Sequence, residues 1–339
     1  MKKGFTLIEL LGIIVILGLI VAFTVPSLIN LKKNEEQKEY DNFLKNVSLA
    51  AETFYQTNTK MCDFDNYTYC YINVSDLIEN NYLRNDLINP KNKNVISYLD
   101  TVILEKNEDN TIKYYYSSMD GYVKDNLLVH YDAIRNTNSG HDYLTTTWKD
   151  LSGNNNDGNL YGFSFDENSG WTNNSLNING KMYVRAINRD LTDFTNEDFT
   201  VIVTFRTPEI ISDPVLVSTG GWKKNGFYIQ FRTNNCVSLN VNQTGASQSI
   251  WTLQNSLKPN QLTNLTFVRS GSTIKSYING NYNTKINTAL DLENAAFAYT
   301  INNNKNWVGE IMNTKVYNRV LTDEEIKNNY NVDKYRFDV

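Results

Sequence analysis

The segment TIKSYINGNY, Thr273 to Tyr282, carries the clearest backbone instruction in the chain. Asn279 and Gly280 sit between alternating apolar residues, and a two-residue type I′ turn needs positive φ at both central positions, which Asn and Gly tolerate best. The same texture surrounds this hairpin. FTVIVTFR, PVLVST, FYIQFR, VSLNV and NLTFVR are short, rich in β-branched and aromatic residues, and separated by Asn/Gly turns. About a dozen such strands over roughly two hundred residues, starting near Asp125, predict a β-sandwich. At its end Thr322 and Glu325 are spaced as a capping box, which opens a short helix at DEEIKNNY. Cys236, in FRTNNCVSLNV, reads as a buried strand residue.

Upstream the apolar spacing changes from two residues to three and four. In NLKKNEEQKEYDNFLKNVSLAAETFYQ, the residues Tyr40, Phe43, Leu44, Val47, Ala50, Ala51 and Phe54 form an apolar stripe. With the run before it, this predicts one helix from Phe5 to about Thr57, roughly 80 Å long, kinked at Pro26. A small head follows. It holds a short helix in VSDLIENNYL, with Ser75 as N-cap, and two strands around a polar turn in VISYLDTVILEKNEDNTIKYYYSS. A lone hairpin is marginal in water, so this one is expected to pack on the helix stripe. Cys62 and Cys70, in MCDFDNYTYC, are placed to close a small disulfide in an oxidising exterior. Their spacing is wrong for the paired CxxC of a structural zinc site.

The chain opens with MKKGFTLIELLGIIVILGLIVAFTVP, Met1 to Pro26. Phe5 to Val25 is almost wholly apolar and long enough to span a bilayer. Glu9 inside it costs about 2.5–3.5 kcal/mol at the membrane centre and is functional by default. A secretory signal ends in a small residue after its apolar core. Here Gly4 precedes the core, so a cut there removes only the basic leader. Gly4-Phe5, then Thr6-Leu7-Ile8-Glu9-Leu10, with Pro26 closing the run, resembles the class III signal of the type IV pilin and pseudopilin family. The resemblance implies cleavage between Gly4 and Phe5 by a prepilin peptidase and methylation of the new amino group on Phe5. It also implies that Glu9 neutralises the N-terminal ammonium of a neighbouring subunit as helices stack. VSDLIENNYLRNDLINP further resembles the segment after the long helix in Gram-positive pilin-like proteins. Lys2 and Lys3 hold the leader in the cytoplasm, so the body faces outward.

In the C-terminal part, WKDLSGNNNDGNLYG, LNINGKMYV, DFTVIVTFR, TIKSYINGNYN and VGEIMNTKVYNRVLTDEEI, in that order, resemble a concanavalin A-like, laminin G-type jelly roll from about Asp125 to Tyr335. Such domains usually bind glycans or proteins, often with calcium, and some relatives are glycosidases. A retaining glycosidase needs two carboxylates about 5–5.5 Å apart, at alternate positions of one strand. No such strand is present. Asp323, Glu324 and Glu325 open a helix, where acids complement the dipole. His130 and His141 form no triad by adjacency, so no catalytic residue is expected. In the loop Asp150 to Gly158, Asp150, Asn154, Asn156 and Asp157 are candidate calcium ligands. The preferred reading there is that Asx side chains stabilise tight turns. Trp222, after Gly220-Gly221, is the first candidate sugar platform, followed by Trp251 and Trp171; Trp307 reads as core.

The expected fold is α+β, mainly β: a cleaved leader (1–4), a long pilin helix (5–58, with 5–26 in the membrane or filament core), a small pilin-like head (59–122) and a concanavalin A-like sandwich (125–339). The expected function is a pilin-like adhesin of a prokaryotic surface, held in the cell membrane and then assembled into an extracellular pilus. Its partners are other pilin subunits, the prepilin peptidase and assembly machinery, and a glycan or surface-protein ligand. A sandwich larger than the head would crowd its neighbours along a fibre, which favours a minor or tip position. The alternatives are a structural minor pilin or pseudopilin of a pilus or type II secretion-like system, with the sandwich as a protein-docking module, and an anchored glycosidase. The net charge of −5 makes nucleic acid a poor partner.

Overall fold

The computed structural model describes residues 7–65, 69–91, 93–97, 100–118, 122–138, 140–166, 169–186, 198–210, 213–220, 226–288, 299–303 and 306–337. The side chains of residues 7–31 other than Leu11, and of residues 69, 243 and 335, are not among them. Gly4, Phe5 and Trp222, and the side chains of Glu9 and Pro26, therefore lie outside the described residues. The first helix, α1 (Leu7–Thr57), runs unbroken through Pro26. Among the described residues no helix is long and apolar enough to cross a membrane.

The C-terminal half of α1 carries the head. Strands β1 (Tyr69–Asn73), β2 (Thr101–Lys106) and β3 (Ile112–Ser117) form an antiparallel sheet in the order β1-β2-β3. The sequence showed β2 and β3 but not β1, whose five residues YCYIN are too few to display a period. The sheet lies on the predicted stripe. Phe43, Val47, Ala50, Ala51 and Phe54 are buried with Ile72, Val102 and Leu104, and Tyr40 and Leu44 sit at the margin. Phe43 meets Tyr116 edge-on at 5.0 Å between ring centres. Cys62 and Cys70 join this core through a disulfide (S–S 2.01 Å). The short helix α2 (Val74–Glu79) is capped at Asn73, not Ser75. Ser75 is buried against the sandwich, its hydroxyl 3.5 Å from Arg135 Nη1, and so is not free to cap.

Among the described residues sixteen strands follow in two antiparallel sheets. The first contains β4 (Leu127–Asp132), β7 (Gly170–Trp171), β8 (Leu176–Asn179), β10 (Phe199–Arg206), β15 (Thr263–Ser270), β16 (Thr273–Ile278), β17 (Asn281–Asn287) and β19 (Val308–Tyr317). Its order is β17-β16-β15-β10-β19-β8-β7, with β4 also paired to β19. The second contains β5 (Thr147–Trp148), β6 (Gly158–Tyr161), β9 (Tyr183–Ala186), β11 (Val215–Ser218), β12 (Gly226–Arg232), β13 (Cys236–Gln243), β14 (Ala246–Trp251) and β18 (Thr300–Ile301). Its order is β14-β13-β12-β11-β18-β9-β6-β5. One apolar core lies between them. Val201, Val203 and Phe205 of β10 meet Ile229 and Phe231 of β12 there, Phe199 stacks on Phe227 at 4.9 Å, and Trp307 packs on Phe231. Cys236 is buried at the start of β13. The Asn279-Gly280 turn joins β16 to β17 with φ of 51° and 67°. A Cβ on Gly280 would also stand 2.7 Å from the Tyr330 ring, so both backbone angle and space require glycine there.

Tyr330 belongs to α3 (Asp323–Phe337), a longer helix than the sequence suggested. Its capping box forms: the Thr322 amide donates to Glu325 Oε2 at 2.8 Å and the Glu325 amide to Thr322 Oγ1 at 3.2 Å. The helix covers the outer face of the first sheet, where Leu321 and Ile326 pack on Ile202, Val268, Tyr277 and Tyr317. Both faces of β10 are therefore dry, which suits its near-continuous apolar sequence.

Under α3 lies a buried ionic layer. Lys315 Nζ is 2.8 Å from Asp333 Oδ1, and Arg336 Nη2 is 2.9 Å from Asp132 Oδ2, all four side chains being fully buried. Tyr122, Thr204, Asn264 and Asn313 also donate to Asp333. Arg336 Nη1 reaches Thr101 of β2 at 3.1 Å, and Tyr71 of β1 packs beside Ile134, Met312 and Phe337. The C-terminus of α3 thus fastens the head to the sandwich. Burial pushes the Lys315 ammonium below its ordinary pKa, with Asp333 opposing. Lys315→Met would leave the buried Asp333 without its counter-ion and is expected to cost about 3–5 kcal/mol in chemical denaturation.

His130 of β4 is buried against this layer, edge-on to Tyr122 at 5.0 Å, with Nε2 lacking a hydrogen-bond partner among the described residues. Burial, then the charges of Lys315, Arg336 and Lys124, hold its pKa well below 6.5. His141 is also lowered by burial, with the Ala133 carbonyl and nearby acids opposing. Below 6.5 the unfolded chain takes up protons that the folded chain refuses, so stability falls as pH drops through that value. Urea unfolding at about pH 7 and pH 5.5 should show a loss of about 1 kcal/mol from His130, with a further loss from His141 in the same direction, and His130→Gln should remove its share.

Candidate binding site

Side chains alternate across a strand, so residues between the core positions of β12, β13 and β14 face away from the first sheet. Val237, Leu239, Val241 and Ile250 point into the core. Ser238 pairs with Trp251, Asn240 with Ser249 and Asn242 with Ser247, and these residues share the outer face with Arg232 and Tyr228. The indole of Trp251 is 45% exposed at the end of the edge strand β14. The Arg232 guanidinium carbon sits 5.3 Å from its ring centre.

Arg232 is held in place by neutral groups. Its Nε donates to Ser238 Oγ at 2.8 Å, and Nη2 to Asn240 Oδ1 at 2.9 Å and Ser249 Oγ at 3.4 Å. Ser249 Oγ in turn donates to Asn240 Oδ1, and Asn240 Nδ2 to the Tyr228 carbonyl at 3.3 Å. Burial pushes the Tyr228 phenol up, with Ser247 and Arg232 opposing. The segment after Trp251 is tied to β17, where the Leu253 amide donates to Asn283 Oδ1 at 3.0 Å. The result is an exposed aromatic ring beside a guanidinium oriented from beneath by buried Ser238 and Asn240, an arrangement on which a ring-shaped polar ligand can be stacked and oriented.

The other predicted site residues are placed differently. Trp171 is no platform: it is 8% exposed, meets Trp148 edge-on at 4.9 Å, and donates its indole N–H to the Thr145 carbonyl. It fills the core beside β5 because β7 carries it inward. Trp307 is buried, in keeping with its core reading. In the Asp150 to Gly158 loop, Asp150 Oδ1 accepts from the His130 and Ser152 amides, and Oδ2 from Ser152 Oγ and the Asn156 amide. Asp157 accepts from the Asp150 amide and pairs with Lys149 at 3.0 Å. Asn154 and Asn156 donate their amide groups to the carbonyls of Leu127 and Leu128. These carboxylates are engaged by N–H and hydroxyl donors and by a lysine, as in Asx-stabilised turns. Among the described residues no group of three or more His, Cys, Asp or Glu side chains is placed to hold a metal.

Arg232, Asn240 and Ser249 escaped sequence reasoning, although the alternation in FYIQFR and VSLNV already separates them from the core residues. Their meeting on one spot depends on cross-strand register, which no local pattern specifies.

Residues 179–327 match a family model described as the concanavalin A-like lectin/glucanases superfamily. Over those residues the sandwich is similar to a concanavalin A-like, laminin G-type domain. Over 65 residues the chain is 33% identical to the type IV major pilin protein PilA of Myxococcus xanthus (strain DK1622), a match covering 19% of this chain and 30% of that protein's length. Among solved structures, the binding domain of botulinum neurotoxin serotype D aligns with a TM-score of 0.48 and 14% identity, covering 62% of this chain and 51% of that one. The receptor binding domain of botulinum neurotoxin D aligns at 0.47 and 13%, covering 61% and 53%. The chain thus spans about half the length of those structures.

The two tryptophans separate core from surface in one measurement. Trp171→Ala should lower stability by about 3–5 kcal/mol, whereas Trp251→Ala should change it by about 1 kcal/mol or less, read by urea unfolding.

Proposed function

We propose that this protein is a pilin-like surface adhesin, assembled through its N-terminal helix and binding glycans through the outer face of its second sheet. The observation that carries the reading is the Trp251–Arg232 face. A half-exposed indole with its neighbours locked by hydrogen bonds stands on a lectin-like sandwich, and that sandwich is bolted to a head built on a 51-residue helix. Stacking on the indole would supply apolar contact for a sugar face, and the half-buried Arg232 guanidinium, held in place by the buried Ser238 and Asn240, would supply orientation. In this reading Gly4-Phe5 is the processing site, Glu9 pairs with a neighbouring subunit's ammonium, and the Phe5–Val25 run anchors the precursor in the membrane. The reading assigns the protein no catalytic role and gives it a minor or tip position in the filament.

Two measurements test it. Cells displaying the intact protein should bind members of a glycan array, and Trp251→Ala should reduce that signal by about tenfold or more while leaving display unchanged. Glu9→Ala should leave the precursor in the membrane fraction but remove it from sheared filaments; normal incorporation of the variant would overturn the assembly role of that acid.

A further inference from the structure

We infer that the glycan taken by this face is anionic, its carboxylate or sulfate received by Arg232 beside the Trp251 ring. This rests on the proposal that the sandwich binds glycans.

The inference starts from charge accounting. Acidic residues outnumber basic ones in this chain, 37 to 32, and among the described residues four of its nine arginines are ion-paired with them. Arg84 lies 2.6 Å from Asp86, Arg206 3.3 Å from Glu310, Arg319 2.6 Å from Glu325 and Arg336 2.9 Å from Asp132. Arg232 is different. It is half-buried on a sheet face and forms no ion pair with any described residue; its acceptors are Ser238, Asn240 and Ser249. Neutral oxygens orient a guanidinium but leave its charge uncompensated. They engage Nε and Nη2, so Nη1 keeps its two N–H donors, and the Trp251 indole N–H also donates to no described group.

A fork fixed in this way has lost its rotamer freedom before any ligand arrives, so less entropy is lost on binding. Hydrogen bonds from a guanidinium to an anion are about twice as strong as neutral ones. A sugar ring lying on the indole would therefore be held most firmly if it carried an acidic substituent within reach of Nη1. The same outer face repeats the pairing of arginine with aromatic rings. Arg185 is exposed, sits 5.4 Å from the centre of Tyr183, and Tyr183 stacks on Tyr161 at 4.6 Å. Arg185 also forms no ion pair among the described residues. Two isolated cations on a chain of net charge −5 suit an acidic sugar better than a nucleic acid, whose affinity is built from many clustered basic residues.

The test uses the intact protein on an array that carries sialylated, uronate-bearing and sulfated oligosaccharides, each beside its own neutral backbone, with duplex DNA as a further spot. Charged members should exceed their neutral backbones by about tenfold, and the type that does so distinguishes carboxylate from sulfate. Arg232→Gln should collapse that difference to less than about twofold, and Arg232→Lys should restore part of it. If Arg232→Gln lowers the melting temperature, the salt dependence of the unaltered protein decides: binding to charged members should weaken markedly by about 0.5 M NaCl, and salt-independent binding overturns the inference. Equal binding to charged and neutral members overturns it too while leaving glycan binding intact, as does preference for DNA. Binding to no glycan at all defeats the underlying proposal instead.

Discussion

Two ion pairs without solvent contact, Lys315–Asp333 and Arg336–Asp132, hold this molecule in one arrangement. Removing a charge from water costs several kcal/mol, and attraction between partners offsets it only if the remaining hydrogen-bonding capacity is also filled. Here it is filled. Asp333 accepts from Tyr122, Thr204, Asn264, Asn313 and Lys315, and Asp132 from Arg336 and the amides of Ile134 and Arg135. Such a layer tolerates little displacement, because moving α3 along the sheet would strand several polar groups at once. It therefore fixes where the helix lies.

The position of α3 has consequences at both ends of the protein. Its apolar side closes the outer face of the first sheet, which leaves the outer face of the second as the one carrying the exposed tryptophan. Its last turn reaches into the head through Arg336 and Phe337, joined by Asn174 donating to Tyr71 across the same boundary at 3.0 Å. A sandwich fastened in this way follows the orientation of the long helix, so the presentation of the binding face is tied to the element that the proposed function uses for assembly. Flexible linkage would reach further but would add an entropic cost to every contact made by the sandwich.

Much of this was legible in the residues. The Asn279-Gly280 turn, the apolar stripe of α1, the Thr322/Glu325 capping box and the core role of Trp307 depend on neighbours within a few positions and appeared as expected. The polar interior of α3 did not. In DEEIKNNYNVDKYRF the residues Asn329, Asp333 and Arg336 look like a solvated face, yet all three are buried, because partners more than a hundred positions away in Thr101, Asp132 and Tyr122, and nearer ones in Asn313 and Lys315, complete their bonds. Trp171 and Trp251 were indistinguishable as residue types and met opposite fates. In the Asp150 to Gly158 loop, the count of oxygens was visible but not their direction, and both carboxylate oxygens of Asp150 point to backbone amides.

The sequence by itself determined the local conformations: where strands run, where a glycine must turn the chain, which face of the long helix is apolar, and where helices begin. Backbone sterics and period are short-range, and a few consecutive residues suffice to express them. Only the tertiary structure decided which sheet face α3 covers, that Arg232 is held beside Trp251 by neutral acceptors with no ion pair among the described residues, and that the head and sandwich share an ionic layer. Those outcomes depend on cross-strand register and on the dielectric environment created by distant segments, neither of which is a property of any stretch of sequence taken alone.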